Sequence, residues 1–231
     1  QIGHEPPRTA LAPERPSTTT PFTTIRVFYG TDRAPTGRPR AKEFYGSDAG
    51  GLSLGVCSVS IPPRHEIGEL EAPRIWRLEV RERPEKHVVL LSVQPISAPA
   101  FATELQRAVW ESIEWRAGST EPTILGGEAF VFVHGFNTTF ADAARRTAQI
   151  AFDLKFRGPP VMYSWPSQGS ASLRGYQDDS RLISDSEGHF LSFLRVVLKE
   201  SGARRVHLIG HSMGNRLISE SLRRLTQEFA T

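Results

Sequence analysis

Cysteine is almost missing: Cys57 is the single one in 231 residues. An internal disulfide and a cysteine-built zinc site are therefore excluded. Long apolar runs are missing too. The longest, Val88-Val-Leu-Leu-Ser-Val93, has the length of a strand and falls far short of the ~18 residues a membrane-spanning helix requires. An excess of one charge is also lacking, since 28 Lys and Arg stand against 25 Asp and Glu, a net of +3. Twenty-four of the basic residues are arginine, scattered from Arg8 to Arg224, with only pairs such as Arg145-Arg146, Arg204-Arg205 and Arg223-Arg224. A nucleic-acid surface gathers its basic residues on a stripe or helix face, so no nucleic-acid partner is expected.

What is present fits a folded domain. Hydrophobic residues make up 39% and charged residues 23%, which excludes a wholly disordered chain, and the length suffices for one ample core. Residues 1–21 differ: five prolines (Pro6, Pro7, Pro13, Pro16, Pro21) and Thr18-Thr19-Thr20 leave almost nothing apolar to bury, which predicts an extended tether. It lacks the charged and apolar regions of an intact signal peptide. It reads either as a processed end or as a stalk holding an exported or membrane-tethered domain near a membrane. Residues 22–231 are expected to form a single domain.

Within that domain, strands come first. Ile25–Tyr29 is β-rich and Gly30-Thr-Asp-Arg-Ala-Pro35 reads as its stop. A Gly- and Pro-rich loop then runs to Gly51. Leu52–Ile61, Ile75–Val80 and Val88–Val93 read as further strands, the last two as a hairpin around Pro84. Phe101, Leu105, Ala108, Val109 and Ile113 recur at helical spacing before Gly118. From residue 129 the chain alternates. Ala129–Val133 is apolar at every position, as in a parallel strand buried on both faces. Thr139 and Asp142 form a capping box for a helix carrying Phe140, Ala144, Ala148, Ile150, Ala151 and Leu154. Val161–Ser164 is a strand, Ser167–Gly175 a polar loop, and about Asp179 to Glu200 a helix burying Leu182, Ile183, Phe190, Phe193, Leu194, Val197 and Leu198. Val206–Ile209 and Asn215–Glu228 complete a β-α-β-α-β-α series, the last helix placing Leu217, Ile218, Leu222 and Leu225 on one face. This order predicts an α/β fold with a mostly parallel sheet.

Two junctions carry chemistry. Gly210-His-Ser-Met-Gly214 matches G-x-S-x-G between a buried strand and an amphipathic helix, the context of a nucleophile elbow. Ser212 is the candidate nucleophile, and the Met213 N–H, at the positive end of the helix, a candidate oxyanion donor. After the strand at 129–133 comes His134-Gly-Phe-Asn137, where the Phe136 N–H is the candidate second donor and Gly135 lets the backbone approach closely. His134, at the strand end beneath the site, reads as a structural imidazole that anchors this loop.

The segments VFVHGFN (131–137), YSWPSQG (163–169) and HLIGHSMGNR (207–216), in this order, resemble the α/β-hydrolase superfamily of serine esterases and lipases. Within it the chain is most similar to an uncharacterised bacterial branch, a likeness that extends to FYGTDRAP (28–35) and VSIPPRHEIGELEAP (59–73). The resemblance implies a mostly parallel sheet of the α/β-hydrolase type, with additional N-terminal strands here. It also implies a Ser-His-acid triad with Ser212 as nucleophile and Phe136 and Met213 as oxyanion donors. The substrate would be a small-molecule or lipid ester, with no metal or organic cofactor. Trp165, Ser167 and the 168–178 loop would border the pocket.

The triad of that superfamily runs Ser, then acid, then His. Only 19 residues follow Ser212, holding Glu220 and Glu228 but no histidine. The sheet is accordingly expected to be C-terminally incomplete, with the acid and the histidine beyond Thr231. The remaining histidines read as surface or packing residues: His4 in the tether, His65 in a Pro-bounded loop, His87 at a strand start and His189 a turn after Asp185. His207 reads as lying inside a buried strand, and His211 as turned sideways beside Ser212. Two functions are compatible with this: an ester or thioester hydrolase acting through Ser212, and a catalytically inactive binding module on the same scaffold, tethered near a membrane.

Overall fold

The computed structural model describes residues 22–65, 67, 82–117, 127–167 and 181–229. The tether, the Ile75–Val80 strand and the 168–178 loop lie outside the described residues. Among the described residues six strands form one sheet: β1 (Thr23–Pro35), β2 (Tyr45–Ile61), β3 (Val89–Ile96), β4 (Glu128–Val133), β5 (Pro160–Ser164) and β6 (Arg205–Gly210). Their order is β3-β2-β1-β5-β4-β6. The β1–β2 and β2–β3 pairs are antiparallel, and the β1–β5, β4–β5 and β4–β6 pairs parallel. The long helices are α1 (Ala98–Ala117), α2 (Phe140–Asp153), α3 (Glu187–Glu200) and α4 (Met213–Phe229).

Two core layers sandwich the sheet. On one face Phe28, Val131, Val133, Val161 and Tyr163 pack against Phe101 and Leu105 of α1, Phe190, Phe193 and Leu194 of α3, and Leu217 of α4. On the other, Tyr29, Cys57, Val59 and Met162 meet the small face of α2, Ala141, Ala144 and Ala148. The apolar run of β4 follows from this: its residues from Ala129 to Val133 are buried because helices cover both of its sides. Burial also pushes the Cys57 thiol up, away from its reactive form.

The strand order reverses at β4. The chain leaves it for β5 on one side and returns to β6 on the other, and right-handed crossovers then place α2 and α3 on opposite faces. At such a switch point the carboxyl ends of adjacent strands open a crevice where ligands bind in open α/β sheets.

The structure corrects the sequence reading in several places. β1 does not stop at Gly30 but continues to Pro35, and β2 begins at Tyr45 inside the expected loop. Register shifts between Thr31 and Arg33 and between Arg33 and Pro35 absorb the bend. The extension is held by side chains: Thr31 Oγ1 donates to the Ser164 carbonyl at 2.6 Å, and Arg33 Nε to Ser164 Oγ at 2.9 Å. The expected helix from 179 to 200 is interrupted for one residue at Ser186, where the Leu182 carbonyl accepts from both the Ser186 N–H and its hydroxyl, each at 2.9 Å. Leu154, Leu198 and Leu222, expected on buried faces, are exposed.

The capping box at α2 is formed as expected. The Asp142 N–H donates to Thr139 Oγ1, and the Asp142 carboxylate accepts from the Thr139 N–H. Thr139→Ala should therefore cost about 1 kcal/mol, read as a lower urea midpoint at unchanged slope.

Candidate active site

β6 and β4 end side by side, with Gly210 in register with Val133. Beyond Gly210 the chain turns sharply into α4. The His211 N–H donates to the Val133 carbonyl at 3.0 Å, tying the turn to the end of β4. The Gly214 and Asn215 N–H groups donate back to the His211 and Ser212 carbonyls at 2.9 and 3.0 Å. The Met213 N–H, first of the helix, has no such partner among the described residues. The Met213 side chain is buried in the core below.

Ser212 stands at the apex with φ +51°, a left-handed conformation that costs a residue with a Cβ about 1–2 kcal/mol. It is exposed, and the backbone hydrogen bonds of the turn hold it in that conformation. The glycines give the turn its closeness. A Cβ on Gly214 would run into the Val133 and His134 carbonyls, and one on Gly135 would lie 2.8 Å from the His211 ring and 3.0 Å from Ser212 Cβ. The 134–138 loop and the turn at 210–214 are thus in direct backbone contact, bringing Gly135 and Ser212 together. A strained, exposed serine between a parallel strand and a helix is the local geometry of a nucleophile elbow.

Residues 123–230 match the family described as alpha/beta hydrolase of unknown function (DUF900). By this match and by the fold, residues 123–230 are of the α/β-hydrolase type. No curated protein and no solved structure matches it.

The matched region contains both junctions, and buried side chains support them from below. His134 is buried beneath the 134–138 loop, its ring stacked on Trp165 with centroids 5.1 Å apart. Burial first, and then the nearby Arg33 charge, hold its imidazole down to about pKa 3, so it is neutral at pH 7. Trp165 does not border a pocket as expected. It is fully buried, and its indole N–H donates to the His134 carbonyl at 2.9 Å, because the chain after β5 turns under the loop rather than away from it. Ser167 is buried as well, its hydroxyl accepting from the Thr138 N–H at 3.4 Å.

Arg33 was not singled out in the sequence, yet it ties these pieces together. It is fully buried and donates to Ser164 Oγ, to the Gly46 carbonyl (2.9 Å), to the Ser167 carbonyl (3.2 Å) and to the Thr138 carbonyl (2.6 Å). The only sequence signal for it was an arginine two residues from the end of what proves to be a strand.

The other histidines lie elsewhere. His65 Nε2 meets Asp153 at 2.7 Å, and His87 Nδ1 accepts from the Arg83 N–H. His189 faces Asp32 at 3.6 Å. Burial raises the Asp32 carboxyl pKa. His207 is not buried. Its ring is half-exposed and contacts Glu128 at 3.1 Å, since among the described residues β6 is an edge strand. No histidine or carboxylate among the described residues hydrogen-bonds the Ser212 hydroxyl, and none of them forms a metal-binding cluster.

The His134 shift predicts a pH effect. The unfolded imidazole protonates near pH 6.5 and the folded one only near 3, so between these values the unfolded chain binds more protons. The contribution is fully present above pH 6.5 and is lost as pH falls, with a slope approaching ~1.4 kcal/mol per pH unit. Asp32, with its raised pKa, acts in the opposite sense. The check is therefore the difference between wild type and His134→Gln in urea titrations from pH 7 to 4. The wild type should lose stability more steeply.

Proposed function

We propose that the protein is a serine hydrolase acting on carboxylic ester or thioester bonds. The observation that carries this reading is Ser212 held exposed at φ +51° between β6 and α4, with Gly135 packed against it. A strained conformation at an exposed residue persists only where the surroundings enforce it, and such positions concentrate at functional sites. In the proposed reaction Ser212 Oγ attacks the acyl carbonyl and its proton passes to a histidine outside the described residues. The oxyanion is held by the Phe136 and Met213 N–H groups. The alcohol or thiol leaves with that proton, and water then attacks the acyl-enzyme to release the acid. No step calls for a metal or an organic cofactor.

The competing reading is a binding module on the same scaffold, favoured by the lack of a histidine or carboxylate on Ser212 among the described residues. A fluorophosphonate probe separates the two when applied to the protein isolated from its own source. Covalent labelling of Ser212, abolished in Ser212→Ala, supports the hydrolase. A protein that stays unlabelled while folded overturns it in favour of the module.

A further inference from the structure

The 134–138 loop is held from below at both of its ends, and the hydrogen-bond directions there can be assigned. His134 Nδ1 lies 2.8 Å from the Gly135 carbonyl oxygen. A carbonyl only accepts, so Nδ1 carries the proton of the neutral ring and Nε2 is left with a lone pair. Nε2 lies 3.1 Å from Ser164 Oγ, which must therefore donate to it. Ser164 Oγ in turn accepts from Arg33 Nε at 2.9 Å, and a guanidinium can only donate. The chain runs one way: Arg33 to Ser164, Ser164 to His134, His134 to the Gly135 carbonyl. Every member is buried, so each bond acts in a low-dielectric setting and polarises the next.

The last acceptor matters for chemistry. The Gly135 carbonyl and the Phe136 N–H belong to one planar trans peptide unit and point in opposite directions. Fixing the carbonyl on the imidazole aims the Phe136 N–H away from the imidazole. Arg33 also secures the far end of the loop through the Thr138 carbonyl and the segment under it through the Ser167 carbonyl. We infer that Arg33 and Ser164 are positioning residues, which act through His134 to set the direction of the Gly135–Phe136 peptide and thereby of the oxyanion donor. This rests on the serine-hydrolase reading for its kinetic consequence, but the relay itself stands on its own geometry.

The test uses the full-length protein with p-nitrophenyl butyrate as substrate and a trifluoromethyl ketone as a tetrahedral-adduct inhibitor. Deleting an oxyanion donor costs about 10²–10³ in kcat, and misaiming one costs less. Ser164→Ala should therefore lower kcat roughly tenfold to a hundredfold at unchanged KM and weaken the ketone in parallel, while the two buried groups it leaves unpaired lower the melting temperature without unfolding the protein at the assay temperature. Ser164→Thr, which keeps the hydroxyl, should restore kcat. Arg33→Lys, which keeps the charge but loses the fork, should lose kcat as Ser164→Ala does. If Ser164→Ala keeps kcat within about twofold, or loses kcat only as far as it loses folded protein, the inference falls.

Imidazole ¹⁵N shifts read the relay without any turnover. His134 should show the Nδ1–H tautomer in both the wild type and Ser164→Ala, and the unprotonated Nε2 should shift in Ser164→Ala toward the value of a ring nitrogen that accepts no hydrogen bond. An Nε2–H ring in the wild type would overturn the relay. A wild type with no ester turnover and no fluorophosphonate label would instead overturn the hydrolase reading, with the ¹⁵N result still deciding the relay.

Discussion

Ser212→Ala should reduce ester turnover by on the order of 10⁴–10⁶ while leaving the fold intact. The magnitude follows from the role: without a nucleophile no acyl-enzyme forms, and only binding and oxyanion stabilisation remain. The fold survives because Ser212 is exposed and no hydrogen bond to its hydroxyl exists among the described residues. A comparison with Ser212→Gly sharpens the point. Alanine keeps the penalty of φ +51°, whereas glycine adopts that conformation without it. Ser212→Gly should therefore be equally inactive but up to about 1 kcal/mol more stable than Ser212→Ala. Stability gained as activity is lost would locate the strain at the nucleophile itself. Equal urea midpoints for the two variants would mean that the turn stores none.

Gly214→Ala should be the most disruptive single methyl in the site. The added Cβ overlaps the Val133 and His134 carbonyls, which are backbone atoms at the end of β4 and cannot rotate aside. Relief requires α4 to move away from the strand, opening the contact between the turn and the 134–138 loop. A loss of roughly 3 kcal/mol or more in unfolding free energy is expected, within the range of severe overpacking. The ester rate should fall about a hundredfold or more in the fraction that still folds, because the proposed oxyanion donors, the Phe136 and Met213 N–H groups, belong to the two pieces being separated. Gly188→Ala is the control. It lies in α3 with open space around its Cβ position and should be neutral or slightly stabilising. If both variants melt alike, the close approach at Gly214 is not what holds the elbow.

Much of the architecture was readable in the residues themselves. Wherever burial repeats regularly, the pattern survives without knowledge of neighbours: the unbroken apolar run of β4, the helical spacing of Phe101, Leu105 and Val109, and the capping box at Thr139. Ser212 was legible for a similar reason, since two glycines at fixed spacing around a serine encode a local backbone path. The long extensions of β1 and β2 were not, because glycine and proline there report a turn locally, while pairing along the sheet overrides them through register shifts. The break at Ser186 was missed because a helical face continues on both sides of it. The exposure of His207 was missed because an edge strand has the same residue pattern as a central one.

The support of the site lies furthest from the sequence. Arg33, Gly46, His134, Thr138, Ser164 and Ser167 are spread over more than a hundred positions, and hydrogen bonds bring them together under one loop. No spacing rule connects them, because they sit on different strands and loops whose adjacency arises only when the sheet forms. The sequence by itself determined the strand–helix alternation and the serine on its turn, since both depend on neighbours within a few residues. The tertiary structure alone decided that a buried arginine from β1 supports the loop beside that serine. A guanidinium buried so deeply must find its acceptors in whatever backbone the fold brings to it.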